Sequence, residues 1–209
     1  MGASKRITLG SGKLYLMVFE GTLPETTDIC VPDNLLGYIK GGATLEYTPT
    51  FYEAKDDLGY VVKTIITEEE ALLKSGVLTF NGNTLDKLCD TARVTEDATK
   101  KLRTVKFGGV GNAKRAKYVI CFHHEDKIDG DIWVMIVGSN QSGFSLAFAK
   151  DAETVIDAEF KALAQDDEGT LIKYIEEDST ITQSTPSDEQ SQASDNEQTT
   201  EDENTPGVG

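Results

Sequence analysis

Between Leu14 and Ile175 the apolar residues of this chain come in short runs rich in Val, Ile, Tyr, Phe and Thr. Turn residues break each run before it reaches the length of an ordinary helix. Runs of this length and composition read as strands. The first covers 14–19. After a loop over 21–36 that holds Pro24 and Pro32, a long strand over 43–55 carries Thr, Tyr and Phe. Pro49 inside it marks an edge or a bulge, because proline donates no ladder hydrogen bond. Its return partner covers 60–67, and Asp56, Asp57, Leu58 and Gly59 make the turn, with the glycine free to take positive φ. Polar Lys55, Asp56 and Asp57 at the tip predict a hairpin that projects beyond its sheet.

Further strands are expected over 72–80, 103–110, 118–124, 132–137, 144–149, 154–163 and 170–175, with Asp129, Gly130 and Asp131 turning between the 118–124 and 132–137 strands. A single helix is predicted over 84–92, capped by Asn83. Leu85, Leu88, Cys89 and Ala92 form its apolar stripe at i, i+3, i+4 and i+7. Many strands, frequent turns and one short helix define a mainly β (α+β) domain of sandwich or barrel type with a long projecting hairpin.

Charge divides the chain. Of its 209 residues, 36 are acidic and 20 basic, a formal charge of −16. Ten acidic residues follow Lys173, the last basic one, so residues 1–173 carry only −6. Beyond Glu177 the composition turns to Ser, Thr, Gln, Asn, Asp and Glu, which bury too little to offset the entropy of ordering. The expected organisation is a flexible N-terminal arm at 1–12, a β domain at 13–176 and a disordered acidic tail at 177–209. A net acidic body argues against holding nucleic acid by neutralising phosphates. The compact basic group Lys114, Arg115 and Lys117 sits beside turn residues and reads as a solvated loop. No apolar run approaches the roughly 18 residues of a membrane span, and residues 1–6 lead into no apolar segment of a secretory signal. Cys30, Cys89 and Cys121 are odd in number and unpaired in spacing, as expected of free thiols in a cytoplasmic product.

Each apparent catalytic motif fails on context. Gly10, Ser11, Gly12 and Lys13 imitate the end of a phosphate-binding loop, yet Ile7 stands where its first glycine belongs and Leu14 where its Ser or Thr belongs. A strand follows rather than a helix. His123 and His124, the only two histidines, precede Glu125 and Asp126, but neighbours on a strand point to opposite faces, so a strand end running into a turn is the reading. Gly138 to Gly143 lacks the spacing of a nucleophile elbow. Gly108, Gly109, Val110 and Gly111 precede no helical pattern. Glu68, Glu69 and Glu70 read as a solvated edge, and Trp133 as core or interface. The expectation is a protein without catalytic residues, metal or cofactor.

Three stretches carry a family resemblance: 36–59 (LGYIKGGATLEYTPTFYEAKDDLG), 68–82 (EEEALLKSGVLTFNG), and 138–144 (GSNQSGF) with 155–162 (VIDAEFKA). Their order and spacing resemble the major tail, or tail tube, proteins of long-tailed phages and prophages of Gram-positive bacteria, over roughly residues 10–176. The resemblance implies a β-sandwich subunit made in the host cytoplasm and ending in the virion. Six copies form a ring, and rings stack into a tube that houses the tape-measure protein and conducts DNA without specific binding. Tail initiation and termination proteins are the other implied partners. The hairpin residues Tyr52, Lys55, Asp56, Asp57, Leu58, Gly59 and Tyr60 are the expected inter-ring element, since an edge-rich hairpin suits strand addition. Glu46, Glu53, Glu68, Glu69 and Glu70 are the candidate lumen residues. An outward solvated face is the competing reading for each. A different class, a virion or surface module that binds carbohydrate or protein, would use Trp133, Tyr118, Tyr47, Phe51 and Tyr52.

Overall fold

The computed structural model describes residues 12–181, apart from the side chain of Val62. Residues 1–11 of the N-terminal arm expected at 1–12, with Gly10 and Ser11 of the loop-like motif, and residues 182–209 of the acidic tail expected at 177–209 lie outside the described residues. The architecture is mainly β. The chain runs through β1 (Lys13–Val18), α1 (Thr26–Ile29), a 3₁₀ turn at Pro32–Asn34, β2 (Leu35–Lys55) and β3 (Val61–Val77). It continues through α2 (Gly82–Leu88), β4 (Arg93–Asp97), β5 (Leu102–Lys106), a second 3₁₀ turn at Val110–Asn112 and β6 (Tyr118–His124). Last come β7 (Ile132–Asn140), β8 (Ile156–Leu163) and β9 (Lys173–Glu176). Among the described residues no helix is long and apolar enough to cross a membrane.

Seven strands form one antiparallel sheet in the order β6-β1-β2-β3-β8-β7-β9, and β6 also pairs with β7. That extra pairing closes the sheet. One edge of β7 is taken along its length by β6, from His124 opposite Ile132 to Tyr118 opposite Gly138. The other edge is shared, Ile132 to Met135 by β9 and Val137 to Asn140 by β8. The result is a six-stranded barrel, β6-β1-β2-β3-β8-β7, with β9 laid along its wall. Closure removes the bare edges that an open sheet would leave.

The two-residue period of a strand sorts side chains between the inside and the outside of the wall. Leu14, Leu16, Leu73, Val77, Ile120, Ile136, Ile156, Ala158 and Phe160 fill the interior with Leu88 of α2. The alternate residues Tyr15, Val119, Cys121, Met135 and Val137 form a second core on the outer face, covered by Ile29 of α1. Strands β1, β6 and β7 are thus buried on both faces, which is why their sequences read as unbroken apolar runs. β8 has one wet face and alternates accordingly, Ile156, Ala158, Phe160 and Ala162 buried and Asp157, Lys161 and Leu163 exposed.

Several elements depart from the sequence-based expectation. β2 starts at Leu35, not 43, because a bulge at Gly41 and Gly42, both at positive φ, lets one strand pass through the glycine pair. The strands expected at 60–67 and 72–80 are one, β3, since the three glutamates between them remain in the ladder opposite Thr48, Pro49 and Thr50. The helix is capped by Asn81, not Asn83: the Asn81 side chain accepts from Asn83 N–H (2.8 Å) and Thr84 N–H (3.1 Å). The Thr84 hydroxyl accepts in return from Asn81 N–H at 3.3 Å, completing a capping box. α2 ends at Leu88, short of 92, and α1 is a second helix where only loop was expected.

β4 was not anticipated. Its sequence is polar, and among the described residues it pairs only with β5, in a separate ribbon. The 103–110 strand is trimmed to β5 by Gly108 and Gly109, which leave the ladder at φ of 99° and 85°. The segment 144–149 is no strand: Phe144 and Leu146 pack on the interior core from an irregular path. Asn140 holds that path, donating to the Gly143 (2.6 Å) and Leu88 (2.9 Å) carbonyls and accepting from Glu159 N–H (2.9 Å).

Candidate functional site: the projecting hairpin

β2 and β3 outrun every other strand. β1 pairs with β2 only at Leu35, Gly37 and Tyr38. β8 pairs with β3 only from Leu72 to Val77. From Ala43 to Lys55 and from Val61 to Ala71, the strands pair with each other and, among the described residues, with no third strand. Nine residues from Tyr47 to Lys55 at about 3.3 Å each carry the tip roughly 30 Å out along the strand direction. Pro49 lies in this stretch, one residue before a register shift at Thr50 and Phe51, where the extra residue Thr67 donates its hydroxyl to the Thr50 carbonyl at 3.2 Å. Both readings of the proline, edge and bulge neighbour, therefore hold.

The tip is a defined turn. Asp56 N–H donates to the Tyr60 carbonyl (2.9 Å) and Gly59 N–H to the Asp56 carbonyl (3.0 Å), with Gly59 at φ 84°. One Asp56 carboxylate oxygen accepts from both Leu58 N–H (3.0 Å) and Tyr60 N–H (2.7 Å). Asp56 thus ties its own backbone, while Lys55, Asp57, Leu58 and Tyr60 stand outward, Leu58 at 81% exposure.

Below the tip each hairpin face, charged nearer its base, holds an exposed apolar pair. Phe51 lies opposite Ile66 and Tyr52 opposite Ile65, and since directly opposed residues share a face, each face carries one aromatic–aliphatic pair. All four are exposed, Phe51 and Tyr52 by more than half. Cross-strand pairs of this kind ordinarily lie under a second layer. Ile65 and Ile66 belong to this surface although sequence reading left them as ordinary strand residues; their adjacency, which sends one to each face, was the available signal.

The five candidate lumen glutamates divide. Glu46 opposes Leu72, Thr48 opposes Glu70 and Thr50 opposes Glu68, so Glu46, Glu68 and Glu70 share the face that continues the barrel's outside. Glu69, opposite Pro49, and Glu53, opposite Thr64, lie on the reverse, the side continuous with the interior-facing Ala71 and Leu73. Three of the five have cationic partners: Lys74 meets Glu46 (2.8 Å) and Glu159 (3.6 Å), Lys161 meets Glu70 (2.6 Å), and Lys55 meets Glu53 (3.5 Å). Hydrogen bonding to Glu46 holds the Lys74 ammonium above its usual range, and Glu70 does the same for Lys161. Glu69 accepts from the Tyr47 hydroxyl, which raises that phenol's pKa.

The aromatic residues of the carbohydrate reading are dispersed. Trp133 packs on the outer core and stacks on His123, ring centroids 4.9 Å apart and 11° from parallel. Tyr118 packs on the interior core instead. His123 and His124 fall on opposite sides of β6, as alternation requires. His123 Nε2 lies 2.8 Å from Asp131 Oδ2, a second residue bound to the turn after the strand. Among the described residues no three His, Cys, Asp or Glu side chains come together as a metal site. Gly12 is needed for packing, since a Cβ there would stand 2.3 Å from the His123 carbonyl. Neither a protein-family model nor a curated protein matches this chain.

Proposed function

We propose that this chain is a non-enzymatic structural subunit that assembles with itself into a tube of the phage tail kind, the rings stacked through the β2–β3 hairpin. The observation that supports this reading best is the hairpin itself: two strands beyond the barrel, their outer edges unpaired among the described residues and each face carrying an exposed aromatic–aliphatic pair. Bare edges complete themselves by adding a strand from another chain, and the exposed Phe51–Ile66 and Tyr52–Ile65 pairs supply affinity that backbone hydrogen bonds alone lack. A closed ring of copies, six in the resemblance, leaves none of these edges over. In this reading the ring encloses the tape-measure protein and later passes DNA, meets initiation and termination proteins at its ends, and resides in the virion after synthesis in the host cytoplasm. The mild acidity of residues 1–173 suits a conduit, because like charge keeps a phosphate backbone from adhering. Of the five glutamates, Glu46, Glu68 and Glu70 can line one wall together, with Glu53 and Glu69 on its reverse.

The test is negative-stain electron microscopy of the purified chain over a range of concentrations and salt. Hollow tubes or rings that grow with concentration are expected. A protein that stays monomeric throughout, also with tail initiation proteins added, overturns the proposal, and a stable monomer that binds glycans would replace it with a recognition module.

A further inference from the structure

On the outer face of the barrel, Cys30 and Cys121 bring their sulfurs to 3.9 Å although 91 residues separate them in sequence. Cys30 closes the C-terminus of α1 and is partly exposed; Cys121 lies in the middle of β6 and is fully buried. Both sit in the outer core with Ile29, Tyr15 and Met135, and Trp133 packs beside them. The third cysteine, Cys89, is elsewhere, at the end of α2 with its sulfur 3.6 Å from the Thr91 hydroxyl.

We infer that Cys30 and Cys121 are a built disulfide site, closed by a small-molecule disulfide such as oxidised glutathione and fastening α1 to the wall of the barrel. A sulfur–sulfur bond of about 2.05 Å requires the two atoms, now 3.9 Å apart, to approach by less than 2 Å, and Cys30, the less buried of the two, is the side chain to move. The order of events follows from the two environments. The contact with the Cys121 thiol, in which either sulfur can donate, and that with the Trp133 indole hold the Cys30 thiol below its ordinary range against the opposing effect of burial. The same sulfur contact and burial push the Cys121 thiol upward. Cys30 is thus the attacking thiolate, and it is the partner the reagent can reach. Its sulfur attacks one sulfur of oxidised glutathione and expels a glutathione thiolate, leaving a mixed disulfide. Cys121 then attacks the Cys30 sulfur; its proton passes to the second departing glutathione thiolate. Two protein thiols and one glutathione disulfide become one protein disulfide and two glutathione thiols, so the two electrons lost by the protein are gained by the reagent.

Little else fastens α1. It is four residues long, has no side-chain cap, and is held by the burial of Ile29. Cross-linking it to β6 closes a long loop and restricts the unfolded chain. This inference does not depend on the assembly reading. The folded full-length protein, purified with dithiothreitol and desalted, is incubated with oxidised glutathione, then denatured, alkylated and mapped by mass spectrometry. The expected result is a Cys30–Cys121 peptide pair, alkylation of Cys89 alone, and a rise in Tm of roughly 5–15 °C that dithiothreitol reverses. Cys89→Ser retains the bridge, and Cys30→Ser abolishes both bridge and Tm rise. Alkylation of all three cysteines, a glutathione adduct on Cys30 that never resolves, or a bridge through Cys89 each overturns the inference.

Discussion

His123 near the end of β6 and Asp131 at the foot of β7 face each other across a hairpin turn, and the carboxylate, having no proton to give, accepts from the ring nitrogen at 2.8 Å. Asp131 also takes the Asp126 N–H at 2.9 Å. Burial favours its neutral form, but these hydrogen bonds, His123 foremost, outweigh it and hold the carboxyl below its ordinary value of 3.8. Because the folded-state value is depressed, the stabilisation is fully present above the ordinary value and is lost as pH falls through the lower one. Asp131→Asn is expected to cost about 2 kcal/mol at neutral pH and to flatten the acid limb of a Tm-against-pH curve below pH 4 or so. An unchanged acid limb would show the pair to be stability-neutral. A second single-residue constraint lies where β7 meets β8: a Cβ on Gly138 would stand 2.0 Å from the Lys161 carbonyl. Gly138→Ala should therefore part the two strands, at roughly 1–3 kcal/mol by chemical denaturation.

At the scale of the element, the hairpin separates folding from assembly. Phe51, Tyr52, Ile65 and Ile66 are exposed and contribute nothing to either core. Phe51→Asp combined with Ile66→Lys is expected to change the unfolding free energy by no more than about 0.5 kcal/mol in denaturant titrations, while removing tubes from micrographs. Deleting Asp56 to Gly59 should act likewise, and a melted monomer would place the hairpin in the fold instead. Much of this element could be read in advance, because Pro49, the Asp56–Gly59 turn and the polar tip are local signals. The full lengths of β2 and β3 could not. Gly41 and Gly42 look like an end of a strand but act as a bulge, and three consecutive glutamates, read as a solvated edge between two strands, keep their ladder positions in one. Polar β4 and the irregular 144–149 path were hidden for the same reason: their state is decided by distant partners, β5 in one case and the Asn140 side chain in the other. The split of the five glutamates between two faces depends on register across the hairpin, which no single strand encodes.

At the scale of the molecule, a barrel with two cores stands beside an appendage with none. Phe160→Ala, in the middle of the interior core, should cost about 3–5 kcal/mol and lower Tm with or without assembly, the opposite pattern to the hairpin variants. The acidity of residues 1–173 sets a further expectation: copies repel at low ionic strength, so raising salt should lower the protein concentration at which light scattering reports tubes. The closed wall also imposes a timetable. β1 cannot be finished until β6 exists, for Lys13 pairs with His123, whereas β2 and β3 are neighbours in the chain and need only their own turn. Non-local pairings of this kind form slowly. Pulsed hydrogen exchange during refolding should protect the β2–β3 amides before those of β1. During synthesis the element proposed for joining copies is then complete while the barrel beneath it is still open, and its bare edges are on display to any neighbouring nascent chain before the subunit has finished folding.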